Sequence, residues 1–267
     1  RALATEEDLQ LRNYLAGRLS DIYWNYLYAA ERTEAASEAE TFAWDMVKSA
    51  SDRSEQRTWF TLFRNVALTD TGITMLKDAW VKGELPGGNE LSEDDLCTLS
   101  LVLALKGHRD WQEITDAQRL RITGKDRLAR YDFVLPSVSP GGSVKDAFFN
   151  TLSDPVNREH EPWVLEALGY LHHPLSADSS LRYIPASLEM LEEIKSTGDI
   201  FFPGGWISAT LAGHHSPEAR EMVEKFLEEN PDYPADLRLK ILQAADHLFR
   251  TDIHVNNPTD ELQKSVN

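Results

Sequence analysis

Cysteine is nearly absent. Cys97 stands alone among 267 residues, which excludes an internal disulfide and any multi-thiolate metal site. Long apolar runs are missing too, and none approaches the roughly 20 residues needed to span a bilayer. The first ten residues carry acids where a signal peptide would be apolar. Cations are scarce: 27 Lys and Arg face 44 Asp and Glu, for a net charge of −17. Such a chain repels phosphate backbones and anionic headgroups, and no dense basic cluster reverses the sign locally. Neither nucleic-acid binding nor membrane insertion is expected. Alternating β-branched runs bounded by turns are also lacking, so no strand is predicted. The chain opens on Arg rather than Met and reads as a piece of something longer.

Apolar side chains are plentiful. Hydrophobic residues make up 42% of the chain, with 7 Trp, 10 Phe and 8 Tyr, enough to build a substantial core. Their spacing is helical. Trp59, Leu62, Phe63 and Val66 fall at i, i+3, i+4 and i+7, and Val164, Ala167, Leu168 and Leu171 repeat the pattern. Leu237, Ile241, Ala244, Ala245 and Leu248 predict one helical face, and residues 9–28 predict another long helix. Punctuation agrees. Ser92 before Glu93-Asp94-Asp95 is an N-cap with acids in the positive first turn, and Gly107 stops that helix. Ser216-Pro217-Glu218 sets a cap, a first-turn Pro and an acid in order. Gly83 and Pro86-Gly87-Gly88 close another helix, and Asn230-Pro231 separates two more.

About a dozen helices joined by short links pack as a bundle or as a curved stack of pairs. The expected fold is all-α, an irregular α-solenoid of antiparallel helices like the HEAT and armadillo superhelices. It is read as a single helical domain over residues 1–267. No strict period supports a regular repeat family. Two prolines and two glycines at 135–142 mark a possible internal seam, either a linker or an ordered loop crossing the stack.

Chemistry is thin on the page. A hydrolytic zinc site needs two histidines on one helical face, as in His-Glu-x-x-His. His160-Glu161-Pro162-Trp163-Val164 puts Val164 where the second ligand belongs, and is read as a helix start. The pairs His172-His173 and His214-His215 lie at predicted helix ends, where protonated rings would face terminal carbonyls. Adjacent helical residues diverge by roughly 100°, so one pair rarely chelates one ion. Cys97, within a helical pattern, is read as a buried inert thiol. Pro203-Gly204-Gly205-Trp206 lacks the βα unit of a phosphate loop and is read as a turn that lets Trp206 pack. No catalytic and no metal residue is assigned.

The last third carries a further signal. Residues 163–175 (WVLEALGYLHHPL), Tyr183-Ile184-Pro185, residues 198–203 (GDIFFP), Gly205-Trp206, residues 214–218 (HHSPE), 230–233 (NPDY) and 240–246 (KILQAAD) follow in order. With residues 57–65, Ala67 and residues 91–105 upstream, this series resembles the C-terminal helical domain of M1-family zinc aminopeptidases, over about residues 55–250. The resemblance implies a non-catalytic, superhelical domain that covers the active-site cleft of a parent enzyme removing N-terminal residues from peptides. Zinc would belong to the parent's separate catalytic domain, with His-Glu-x-x-His and Gly-x-Met-x-Asn, neither of which occurs in this chain; no cofactor is expected here. The implied partners are that catalytic domain and, through it, a peptide substrate. A cationic side chain would reach the far end of the substrate, and Arg158 and Arg182, each preceding a helix start, are the candidates for its carboxylate. Within the same reading, an uncovered apolar patch is expected around Trp24 and Tyr28. The alternative is a free-standing helical-repeat adaptor that binds proteins on a concave face; a small enzyme using bundle chemistry would need a metal or cofactor.

Overall fold

The computed structural model describes residue 6 and residues 8–255, with side chains to residue 250. Its chain divides into two compact units, residues 1–145 and 146–267. The fold is all-α, as the periodicity predicts. In the first unit α1 (Leu9–Asn25), α2 (Ala29–Ser49), α3 (Arg53–Val66) and α4 (Asp70–Lys82) precede α5 (Glu93–Leu105), α6 (Trp111–Arg121) and α7 (Lys125–Val138). The boundary between units falls inside α8 (Gly142–Thr151). In the second unit α9 (Glu161–Leu171), α10 (Ala177–Ser180), α11 (Ile184–Glu189) and α12 (Leu191–Thr197) lead to α13 (Phe202–Leu211). They are followed by α14 (Pro217–Glu229), α15 (Ala235–Ala244) and α16 (Asp246–Val255).

In each unit the core comes from the apolar stripes. Trp59, Leu62, Phe63 and Val66 of α3 are buried, as are Val164, Ala167, Leu168 and Leu171 of α9. Each such side chain contributes roughly 2 kcal/mol when taken from water, so one stripe outweighs any single polar contact of its helix. The caps hold too. The Ser92 hydroxyl accepts from the Asp95 N–H, and the Ser216 hydroxyl from the Ala219 N–H. Gly83 and Gly107 end their helices at φ of 71° and 72°, a conformation that a Cβ would strain.

Three local expectations change. The helix begun at Leu9 ends at Asn25, because Glu31 reaches back to the Tyr28 N–H and starts α2 there. The stripe from Leu237 to Leu248 is split between α15 and α16 at Ala245; Leu237, Ile241, Ala245 and Leu248 are still buried. Pro136 does not break α7, which runs through it to Val138. A two-residue hairpin, Glu84–Leu85 with Asn89–Glu90, closes around the Pro86-Gly87-Gly88 turn; Gly87 and Gly88 take φ of 88° and 80°.

Candidate functional site

In the first unit, polar side chains converge on the corner joining α3 to α4. Glu40, buried on α2, accepts the Leu68 and Thr69 N–H groups at 2.6 and 2.7 Å and the Thr69 hydroxyl at 2.5 Å. Lys106, the C-cap of α5, donates its ammonium to the carbonyls of Asn65 (3.2 Å) and Ala67 (2.5 Å), and lies 5.5 Å from the Trp24 ring. The Trp24 indole N–H donates to the same Asn65 carbonyl at 3.1 Å. Carbonyls at the end of one helix and amides at the start of the next thus receive opposite charges, as their partial charges require. Burial of the ammonium lowers the Lys106 pKa to about 7, against the pull of Glu40.

Cys97 sits in a second buried network. Trp80 donates to Gln118 at 2.9 Å, Gln118 approaches the Cys97 sulfur at 3.6 Å, and Ser100 pairs with Tyr131 at 2.8 Å. Burial pushes the thiol pKa up, and the buried placement is as expected. Between α1 and α3 lies a groove of about 470 Å³, lined by Asn13, Gly17, Ser20, Thr58, Thr61 and Asn65 among others. Small polar side chains on both helices leave it open.

In the second unit the two histidine pairs meet. His172 Nδ1 and His214 Nε2 lie 2.8 Å apart in a hydrogen bond, each residue 1% exposed. His247 Nε2 stands 2.9 Å from the His214 carbonyl and 3.1 Å from that of Leu211, while its ring lies 5.1 Å from that of His215. The helix-end placement is as expected: His172 caps α9 and His214 and His215 precede α14. The expected protonation is wrong for His214. Burial first, then the charges of His215 and His247, lowers its pKa to about 4, so the ring is neutral. Two imidazoles in direct contact also leave no room between them for an ion. Among the described residues, no group of three or more His, Cys, Asp or Glu is placed to hold a metal.

The remaining candidates have local partners. His160 stacks on Trp163 with ring centroids 4.1 Å apart at the start of α9, and Val164 is fully buried. Pro203 to Trp206 is the first turn of α13 rather than a free turn, with Pro203 at the position that tolerates it; the buried Trp206 indole donates to the Ser187 carbonyl. Arg158 is 3% exposed, and its guanidinium binds the Leu152 carbonyl and the Glu193 carboxylate. Arg182, its side chain 47% exposed, binds Asp146 at 2.8 Å and the Tyr183 hydroxyl at 2.9 Å, with Tyr183 donating to Asp146 at 2.7 Å. The two arginines are therefore held in different ways, one buried against a half-exposed carboxylate and one at the surface. Trp24 corrects the expected patch: its indole is tied to α3 and buried, whereas Tyr28 is 52% exposed. Leu11, Tyr14 and Ile22, at i, i+3 and i+11, form the exposed apolar side of α1. The Glu40–Lys106 node and the His172–His214 contact escaped the sequence because their members lie 66 and 42 residues apart. No family model, curated protein or solved structure matches the chain.

Proposed function

We propose that this chain is the non-catalytic C-terminal helical domain of an M1-type zinc aminopeptidase, a superhelical cover over the active-site cleft. One observation carries the reading. Three of the ordered family-like segments coincide with helix boundaries of the second unit: GDIFFP bridges α12 and α13, HHSPE holds the cap and first residues of α14, and NPDY links α14 to α15. A cover domain acts through its surface and its fit rather than through a nucleophile or metal of its own. In this reading zinc belongs to the parent's catalytic domain, and Arg182, with the more exposed guanidinium, is the better placed of the two carboxylate candidates. The purified chain, given zinc and an amino-acid anilide, should show background hydrolysis, and the gene upstream of Arg1 should encode His-Glu-x-x-His. Zinc-dependent turnover by the chain alone, surviving removal of contaminating peptidases, would sink the proposal. In the parent, Arg182→Ala should raise KM for tripeptides more than for substrates without a free carboxylate; equal effects would remove that role, and the same comparison applies to Arg158.

A second reading, the free-standing protein-binding adaptor, is favoured by the groove between α1 and α3 and by the exposed apolar side of α1. A coding sequence that starts at or just before Arg1 would select it.

A further inference from the structure

Helix α12 ends at Thr197, and α13 begins at Phe202. The four residues between them build a closely packed tip. Gly198 is pressed so closely that an added Cβ would lie 2.6 Å from the Phe202 ring, 3.0 Å from the Ile194 carbonyl and 3.1 Å from the Glu161 carboxylate. The Asp199 N–H donates to Glu161 Oε1 at 2.7 Å, tying the tip to the start of α9. The Asp199 carboxylate accepts the Phe201 N–H at 2.6 Å, and the Phe202 N–H bonds the Asp199 carbonyl at 3.1 Å. Phe202 turns inward and is buried.

Ile200 and Phe201 do the opposite. Each is 79% exposed, although the hydrogen bonds of Asp199, Phe201 and Phe202 hold the backbone beside them in place. Folding of this unit gains nothing from two large apolar side chains held in water, and a pinned backbone means that burying them later costs little conformational entropy. Exposed apolar side chains on a hydrogen-bonded backbone of this kind suit an interface anchor.

We infer that the Ile200–Phe201 tip is an anchor that inserts into an apolar pocket with a basic rim on the parent's catalytic domain. The inference rests on the functional reading above and names the surface through which the cover is held. Two arguments select this occupant. Glu161 and Asp199 flank the tip, and the whole chain carries −17, so a matching pocket is bordered by Lys or Arg, whereas a second copy of this chain would be repelled. The pair also offers only about 300 Å² of apolar surface, on the scale of 150–250 Å² for a buried aromatic. A stable pair of separate proteins buries roughly 1,200–2,000 Å². So small an anchor suits a tethered partner, for which effective concentration supplies the rest.

Maleimide labelling of Phe201→Cys, read by mass at the peptide holding residue 201, tests this in the full-length parent and in this chain alone. Circular dichroism of the variant should match wild type, because the replaced ring touches solvent. The parent should label roughly tenfold or more slowly than the chain alone, and adding Ile200→Ser should restore much of the rate. Equal rates in a parent that has zinc-dependent aminopeptidase activity would overturn the anchor and leave the functional reading standing. A parent without the zinc motif or the activity would remove the reading, and this partner with it. Protection in the isolated chain that rises with concentration and is lost with Ile200→Ser would make a second copy the occupant, against the inference.

Discussion

His214 is neutral because its ring is buried and a charge there would be enclosed beside His172, His215 and His247. The sign for stability follows. Its folded pKa of about 4 lies below the ordinary histidine value of 6.5, so the unfolded chain takes up a proton that the folded one refuses. The contribution is complete above pH 6.5 and drains away as pH falls toward 4, to a limit of about 3 kcal/mol at 1.36 kcal/mol per pKa unit. Urea midpoints should therefore fall between pH 6.5 and 4.5, and His214→Phe should flatten that slope; an unchanged slope would mean that the ring is not the source. Lys106 shifts the same way at higher pH. With a folded pKa of about 7 against 10.5, it makes stability rise from pH 7 toward 10. Lys106→Met should remove that rise, while leaving the Asn65 and Ala67 carbonyls short of a donor and lowering stability at pH 9 by about 1–3 kcal/mol. An identical pH profile in the variant would refute the lowered pKa.

Helix ends were legible and helix crossings were not. Ser92, Ser216, Gly83 and Gly107 act through atoms three or four residues away, so their roles can be read from neighbours alone. Gly213 cannot be read that way. A Cβ on it would lie 1.8 Å from the His172 carbonyl oxygen, because the turn after α13 crosses the end of α9 there. Gly169, inside α9, would meet nothing within 4 Å. Two Gly→Ala changes should therefore differ in sign: Gly213→Ala should cost about 3 kcal/mol or more, and Gly169→Ala should stabilise by about 0.5–1 kcal/mol through helix propensity. Thermal unfolding of both variants checks the pair, and similar shifts would contradict the close crossing. The missed break at Tyr26 belongs to this scale as well, since Glu31 capping the Tyr28 amide begins a new helix where apolar periodicity alone continues the old one.

At the scale of the molecule, net charge dominates. A charge of −17 repels itself, and much of it sits on exposed helical faces. Raising monovalent salt from roughly 0.02 to 0.2 M shortens the screening length from above 20 Å to below 10 Å, so the Tm should rise by a few degrees. A fall would mean that ion pairs such as Arg119–Asp132 and Lys77–Asp110 outweigh the repulsion. No described helix is long and apolar enough to cross a membrane, in line with the missing apolar runs. Division into two units was not visible in composition: the predicted seam at 135–142 falls partly within α7, and the boundary lies inside α8, whose sequence carries no helix breaker at that point.

By itself the sequence determined the all-α fold, the buried stripes of α3 and α9, the caps, and the burial of Cys97. These depend on spacing within a few residues and on side-chain type, both written along the chain. Tertiary structure alone decided that His172 meets His214, that Lys106 and Glu40 serve one corner, that Trp24 is buried, and that Phe202 turns inward while Ile200 and Phe201 stay in water. Each of those depends on which segments distant in sequence become neighbours. Burial then fixes the charge state of a histidine or lysine and the exposure of an aromatic ring, quantities that no local pattern contains.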